Sequence, residues 1–395
     1  MIAVAESGPV PHLPRARRAV AACFALHGLI FASWLVRIPD VKAQLQLTDG
    51  QLGLALLGAP AGVVAGQVLA GWALPRWGSR RVTGATGVAW CASVPLLGAV
   101  PSVPALVLVL GLYGLTSAAM DVGMNAQAAL VERHYGRPIL SGFHGVWSVA
   151  TLIGAAAGGV LAGWGVAVPL HFLAVAALAL PGIVLSGRGL LEEPAAPAAT
   201  AGSALAWALL PRRLLPLGAL AFSVLVCEGA IGDWSAVYLR EGLGSTSAAA
   251  ASGYAVFSLL MAAGRLTGDW LTVRLGPAAV VRGGGLLVIA GILILTVAGT
   301  LPAAVVGFGL IGAGVACPFP LVISQAARTR GLAPGRAIAA MATVAYSGAF
   351  VGPPVIGTLA ELITLRGALG VLGLVGVIML LLGGTVQPPA PDGLG

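Results

Sequence analysis

GQVLAGWALPRWG (Gly66–Gly78) and GRLTGDWLTVRLG (Gly264–Gly276) lie 198 residues apart in a chain of 395, an offset of half its length. Gly66, Trp72, Arg76 and Gly78 of the first stretch return as Gly264, Trp270, Arg274 and Gly276 of the second. The same offset relates GLYG at Gly111–Gly114 to GLIG at Gly309–Gly312, and Gln127, Gly154 and Gly159 to Gln325, Gly352 and Gly357. A constant offset across landmarks so far apart, with no net insertion between them, marks two structural halves of matched length.

The duplicated unit is a set of membrane helices. The chain is 58% hydrophobic and only 9% charged, with a mean hydropathy of +0.98, and a water-soluble domain could not cover its surface with so few charges. Apolar runs near 20 residues long, enough to cross ~30 Å of hydrocarbon as helix, lie at 19–37, 51–74, 82–100, 103–130, 141–164 and 167–187. The second half repeats them at 214–237, 248–271, 279–299, 302–326, 336–359 and 366–386. The expected fold is an all-α polytopic membrane protein of twelve transmembrane helices in two six-helix bundles.

Six crossings per half bring each half back to its starting side, so the halves are parallel repeats about an axis along the membrane normal. Of the 21 Lys plus Arg residues, only Arg37, Lys42, Arg240 and Arg366 fall on the side opposite the termini. The positive-inside rule then predicts that both termini are cytoplasmic, in a cell membrane. This asymmetry accounts for the net charge of +8 and removes any need for a nucleic-acid partner. The boundaries read as a cytoplasmic tail (1–18), a first bundle (19–187), an Ala/Pro-rich cytoplasmic linker (188–213), a second bundle (214–386) and a short tail (387–395). Leu205–Leu210 in the linker reads as a short surface helix.

No secretory cleavage site follows the first span. VAAC (Val20–Cys23) matches a lipoprotein cleavage box in letters only, since its cysteine begins an apolar run instead of ending one. Cys23, Cys91, Cys227 and Cys317 fall singly within spans, which predicts neither disulfide nor metal site. No cofactor is implied. P-loop, dinucleotide and HExxH signatures are absent, which disfavours ATP-driven transport by this chain alone and leaves a secondary transporter as the leading class, not an enzyme. A polytopic membrane enzyme or sensor is the alternative. It would need a GxSG serine or a substantial extramembrane output domain, neither of which the chain carries.

Glycines four apart let helices approach closely in lipid. Gly58, Gly62 and Gly66 make such a stripe on the second span, and Gly348 and Gly352 another on the eleventh. Pro318 and Pro320 in span ten, and Pro353 and Pro354 in span eleven, remove backbone donors and predict bends.

GWALPRWGSRR (Gly71–Arg81) resembles the cytoplasmic loop signature of the major facilitator superfamily, with GRLTGDWLTVRLG as its second-half counterpart. The signature positions are Gly71, Arg76, Gly78 and Arg80, then Arg265, Asp269, Arg274 and Gly276. Pro75 stands where that family usually has an acid, so a charge lock in this loop is expected only in the second half, between Asp269 and Arg265 or Arg274. FASWLVRIPDVK (Phe31–Lys42), MDVGMNAQAALVERHYGRPILSGFHGVWS (Met120–Ser148) and EGAIGDWSAVYLRE (Glu228–Glu241) resemble the YbjJ-like group. That group is related to sugar:proton symporters of the fucose-permease type. The resemblance implies a proton-coupled carrier of a small solute, with an acidic residue of the fourth span in proton coupling; Asp121 occupies the similar place.

Ionisable residues within spans are costly and so become functional candidates. Asp121 has Asn125 one turn later on its face and no basic residue within two turns on its helix. Desolvation disfavours a buried carboxylate's charge, which suits a group that takes up and releases a proton. The competing reading pairs it with a cation from another span, such as His144. Glu228 and Asp233 lie five apart in span seven and cannot both face one axis; Glu228 is the deeper cavity candidate, and Asp233 an alternative ligand residue or a partner of Arg37. His144, Trp147, Ser148 and Thr151 form a mixed stripe on span five, His144 being either a proton relay or a structural histidine. Trp34 and Trp234 read equally as interfacial anchors or ligand contacts, and the repeat-related Gln127 and Gln325 as helix bridges. Asn125, Trp147, Tyr254 and Tyr346 supply hydrogen bonds and ring faces for a polar, sugar-like solute. Nearly the same residues would serve a proton-antiporting exporter of amphipathic compounds. The expected partners are a small-molecule substrate, protons and lipid, with the chain acting as a monomer.

Overall fold

A computed structural model of the chain describes residues 13–136, 139–192, 212–329 and 334–387. Its regular elements are all helical. The first half comprises α1 (Leu13–Leu35), the short α2 (Ile38–Gln44) and α3 (Asp49–Leu56), α4 (Gly58–Gly98), α5 (Val103–Tyr135), α6 (Leu140–Gly163) and α7 (Val168–Gly189). The second comprises α8 (Leu215–Val237), α9 (Ser247–Leu275), α10 (Pro277–Ala298), α11 (Leu301–Val315), α12 (Pro318–Ala327), α13 (Pro334–Leu362), α14 (Leu365–Gly370) and α15 (Gly373–Leu382). Residues 1–12 and 388–395 of the expected tails and the linker helix at Leu205–Leu210 lie outside the described residues. Residues 13–18, expected as tail, are the opening turns of α1, so the first helix starts six residues before the apolar run.

Ten stretches among the described residues are long and apolar enough to cross a membrane. One, Asp49–Gly98, runs for 50 residues and holds two crossings, because Gly78 leaves helical geometry at φ 76° and ψ 155°. α13 adds a further crossing of 29 residues. The described residues therefore make twelve crossings, six per half. Gly276 does for α9 and α10 what Gly78 does inside α4, at φ 81° and ψ 152°. The two signature loops are thus single-glycine reversals with nearly the same backbone angles. Large apolar side chains such as Leu108, Leu266, Val273 and Leu381 stay exposed on the outside of the bundles, as a lipid-facing surface requires.

The glycine stripes are close-approach surfaces. A Cβ on Gly58, Gly62 or Gly66 of α4 would strike the carbonyl oxygens of Val107, Gly111 or Leu115 on α5. On α13, Gly348 sits against the Phe222 carbonyl of α8 in the same way. Of the predicted proline bends, one is a full break: span ten splits into α11 and α12 at Ala316–Cys317, with Pro318 opening α12. Pro353 and Pro354 leave α13 uninterrupted.

The halves meet along two helix pairs, α6 with α9 and α3 with α13. Spans five and eight form one contact and spans eleven and two the other, so the 198-residue offset relates the two contacts. Both are tightest towards the face opposite the termini. There Gly159 and Gly163 of α6 pack on Ala251 and Ala248 of α9, and Gly53 of α3 packs on Pro353 and Gly357 of α13.

Candidate functional site

α5 carries Asp121 and Asn125 one turn apart. The Asn125 amide donates to the Asp121 carboxylate at 3.1 Å and to the Asp121 carbonyl at 2.9 Å. Tyr346 of α13, in the other half, lies within electrostatic reach of Asp121, Glu228 and Arg265. Arg265 of α9 donates one guanidinium nitrogen to both carboxylate oxygens of Glu228 on α8, at 3.3 and 3.4 Å. His144 of α6 is exposed, packs edge-on against Phe24 and feels the charge of Arg265. Tyr254 of α9 is close enough to sense Glu228, Asp233 and Arg265. Spans four, five, seven, eight and eleven thus bring Asp121, Asn125, His144, Glu228, Arg265, Asp233, Tyr254 and Tyr346 towards one region between the halves.

Behind this region the first half holds a buried polar cluster centred on His27 of α1. Trp147 donates its indole N–H to His27 Nδ1 at 3.0 Å. An imidazole that accepts at Nδ1 carries its neutral-state proton on Nε2. That nitrogen faces the Ser117 hydroxyl at 3.2 Å. Trp90 packs on the imidazole with ring centres 4.4 Å apart. Trp147 is therefore held by its edge, and it remains half-buried next to Phe31. A lone histidine in an apolar helix was the available signal, but sequence spacing carries no information about a contact 120 residues away.

Several expectations are corrected. Trp34 is 4% exposed and packs on Phe172, and Trp234 is wholly buried against Gly357. Both are core residues, neither anchors nor ligand contacts, because their helices turn these faces into their own bundles. Arg265 does not lock to Asp269: it lies well inside α9 and engages Glu228. Glu228 is accordingly an ion-pair partner and not an isolated carboxyl. Arg274 stacks over Trp270 at 4.4 Å, and its repeat mate Arg76 over Trp72 at 4.6 Å. Arg80 donates to the Gly187 carbonyl at 3.1 Å and pairs with Glu192, while Gly71 faces open space. Arg37 is taken by Asp40, His171 and the Val166 carbonyl, and not by Asp233. Asp121 takes its hydrogen bond from Asn125 and not from His144. Gln127 does bridge, linking Ser79 of α4 to both backbone groups of Leu191 at 2.8 to 2.9 Å. No cluster of metal-ligating side chains occurs among the described residues.

Two bundles of six crossings, joined face to face with ionisable groups between them, define a polytopic membrane carrier. The sequence matches the Major Facilitator Superfamily over residues 20–347, and the chain belongs to that family. It is 36% identical to an uncharacterized transporter, y4wD, of Sinorhizobium fredii over 366 residues, covering 92% of this chain and 96% of the relative. It is 32% identical to an uncharacterized MFS-type transporter of Yersinia pestis, covering 89% and 90%. Membrane protein MosC of Rhizobium meliloti is 33% identical, covering 91% and 88%. Among solved structures, a bacterial homolog of the human lysosomal transporter Spinster, inward-facing and unoccupied, superposes with a TM-score of 0.77 at 15% identity, covering 97% of this chain and all of that one. The nucleoside transporter NupG gives 0.74 at 15% identity, covering 94% and 98%. At such identities these likenesses speak for the fold alone. The chain is a secondary membrane transporter, not an enzyme. Its partners are a small-molecule substrate and the lipid around its helices.

Proposed function

We propose that this transporter takes up a small polar, sugar-like solute across the cell membrane together with protons, in the manner of the YbjJ-like and fucose-permease-type carriers it resembles. Its termini are cytoplasmic in this reading, and its two bundles rock about a site between them. The observation that carries the proposal is the Asp121–Asn125 pair within α5, near Tyr346 of the opposite half and the Glu228–Arg265 pair. A carboxyl in that setting can be neutral for part of the cycle, and its hydrogen-bonded amide and the nearby phenol offer partners to hydroxyl groups. Asp121 is the proton carrier, with His144 and Glu228 as the other titratable groups in reach. Asn125, Trp147, Tyr346 and Asp233 form the candidate substrate contacts; Tyr254, 6% exposed and stacked on Phe257, belongs to the core as Trp34 does.

The test uses proteoliposomes loaded with a pH-sensitive dye and challenged with a panel of labelled monosaccharides. Proton entry coincident with sugar entry is the expected result, and Asp121→Asn should abolish gradient-driven accumulation while sparing exchange at equal concentrations. Unchanged proton-driven accumulation in that variant removes Asp121 as the carrier. Proton movement opposite to the solute would turn the reading into export.

A further inference from the structure

The face opposite the termini carries a set of polar contacts that the transport site does not use. Arg240, in the π-helical turn at the end of α8, pairs with Asp40 of α2 in the other half. Lys42 of α2 pairs in the opposite sense with Glu241 beside Arg240. Lys42 and Arg240 are themselves separated by the repeat offset of 198, so equivalent cations of the two halves each reach an acid across the interface. Their acids are not equivalent: the repeat mate of Asp40 is Tyr238 and that of Glu241 is Ala43. A third contact joins the halves beside these. The carboxylate of Glu361, at the end of α13, accepts from the Gly50 amide at 3.0 Å and from the Thr48 hydroxyl, and so caps α3 from the other half.

The first-half members are fixed from behind. Arg37, 2% exposed, holds the second carboxylate oxygen of Asp40 at 2.7 Å and donates to His171 at 3.0 Å. Asp49 holds Lys42 at 2.6 Å. Asp40 and Lys42 are thus presented ready-made, whereas Arg240 and Glu241 reach them from a single π turn. Below the charges, the helix pairs α6–α9 and α3–α13 close on small residues.

We propose that Arg240, Glu241 and Glu361 are the moving halves of a latch that holds this face shut, and that it must release Asp40, Lys42 and the start of α3 before the face can open. The latch deepens the alternating-access reading above and rests on it. It predicts that the closed state drawn here loses population when the cross-half charges are removed, even though each half keeps its own internal pairs. Partly exposed pairs of this kind shift such equilibria by roughly 1.5- to fivefold each.

The experiment is a pulsed electron–electron distance measurement on the full chain reconstituted in lipid, with its four native cysteines replaced. Spin labels go on Ala43→Cys and Ile363→Cys, which are exposed on the two halves at this face. Arg240→Gln with Glu241→Gln should raise the long-distance fraction relative to the unaltered latch, and Glu361→Gln should add to it. Ser102→Ala, which removes only the N-terminal cap of α5 inside the first half, should leave the fraction unchanged. If the double variant fails to fold, either single glutamine variant reads the same quantity. Two distance populations of unchanged ratio in wild type and variants would overturn the latch while leaving alternating access standing. A single short distance in every variant would overturn both.

Discussion

The two signature glycines show how much one backbone angle decides. Gly78 and Gly276 sit at positive φ with extended ψ, a region open in practice only to glycine. Gly78→Ala and Gly276→Ala should each cost about 1–3 kcal/mol, read as a lower unfolding midpoint in detergent. Gly71→Ala, in the same motif but helical and facing open space, should cost nothing measurable. Trp34→Ala empties a packed site against Phe172 and should cost ~3–5 kcal/mol, a stability loss that a ligand-contacting tryptophan would not show. Lys42 sets a pH limit on its own pairs. Burial opposes its charge, but the hydrogen bonds and charges of Asp49 and Glu241 outweigh that and hold its proton above the ordinary value of 10.5. A raised amine contributes stability that is complete below its unfolded value and fades as pH climbs through the folded one. The stability difference between wild type and Lys42→Met should therefore stay flat from about pH 6 to 9 and shrink only above about 10.5.

At the scale of elements, the spans pack by backbone contact more than by side-chain bulk. In lipid there is no hydrophobic drive between helices, so close approach and small residues carry the association. The α4–α5 seam is the tightest instance. Gly62→Ala would push a methyl into the Gly111 carbonyl, where neither backbone can yield without parting the helices. Loss of most folded protein on size-exclusion chromatography is the expected outcome, against wild-type yield for Gly84→Ala, which meets nothing within 4 Å. Elements also explain why the Asp269 lock failed as an expectation. Arg265 lies ten residues before the C-terminal end of α9, roughly three turns in, where the nearest acid in space is Glu228 of α8.

For the whole molecule, the duplication governs where the halves touch and where a solute can sit. The repeat places spans two, five, eight and eleven in two related contacts, with the ionisable groups of spans four, seven and eight between them. Reporter fusions near Ala199 and at the C-terminus should both report cytoplasm, and one near Lys42 the outside, if the basic asymmetry orients the chain as proposed. Linker and C-terminus on opposite sides would contradict an even number of crossings per half.

The 198-residue period and the apolar run lengths by themselves determined the number of crossings, the parallel repeat and the glycine seams, because bilayer thickness and backbone hydrogen bonding leave a helix few choices. Asp121 with Asn125 was legible for the same reason, being a local pair on one helix. Only the tertiary structure decided the partners of Glu228, Arg37, His27 and Lys42, and only it turned Trp34 and Trp234 into the core. Those outcomes depend on how each helix is rotated about its own axis and on which helices become neighbours, and a period read along one chain fixes neither.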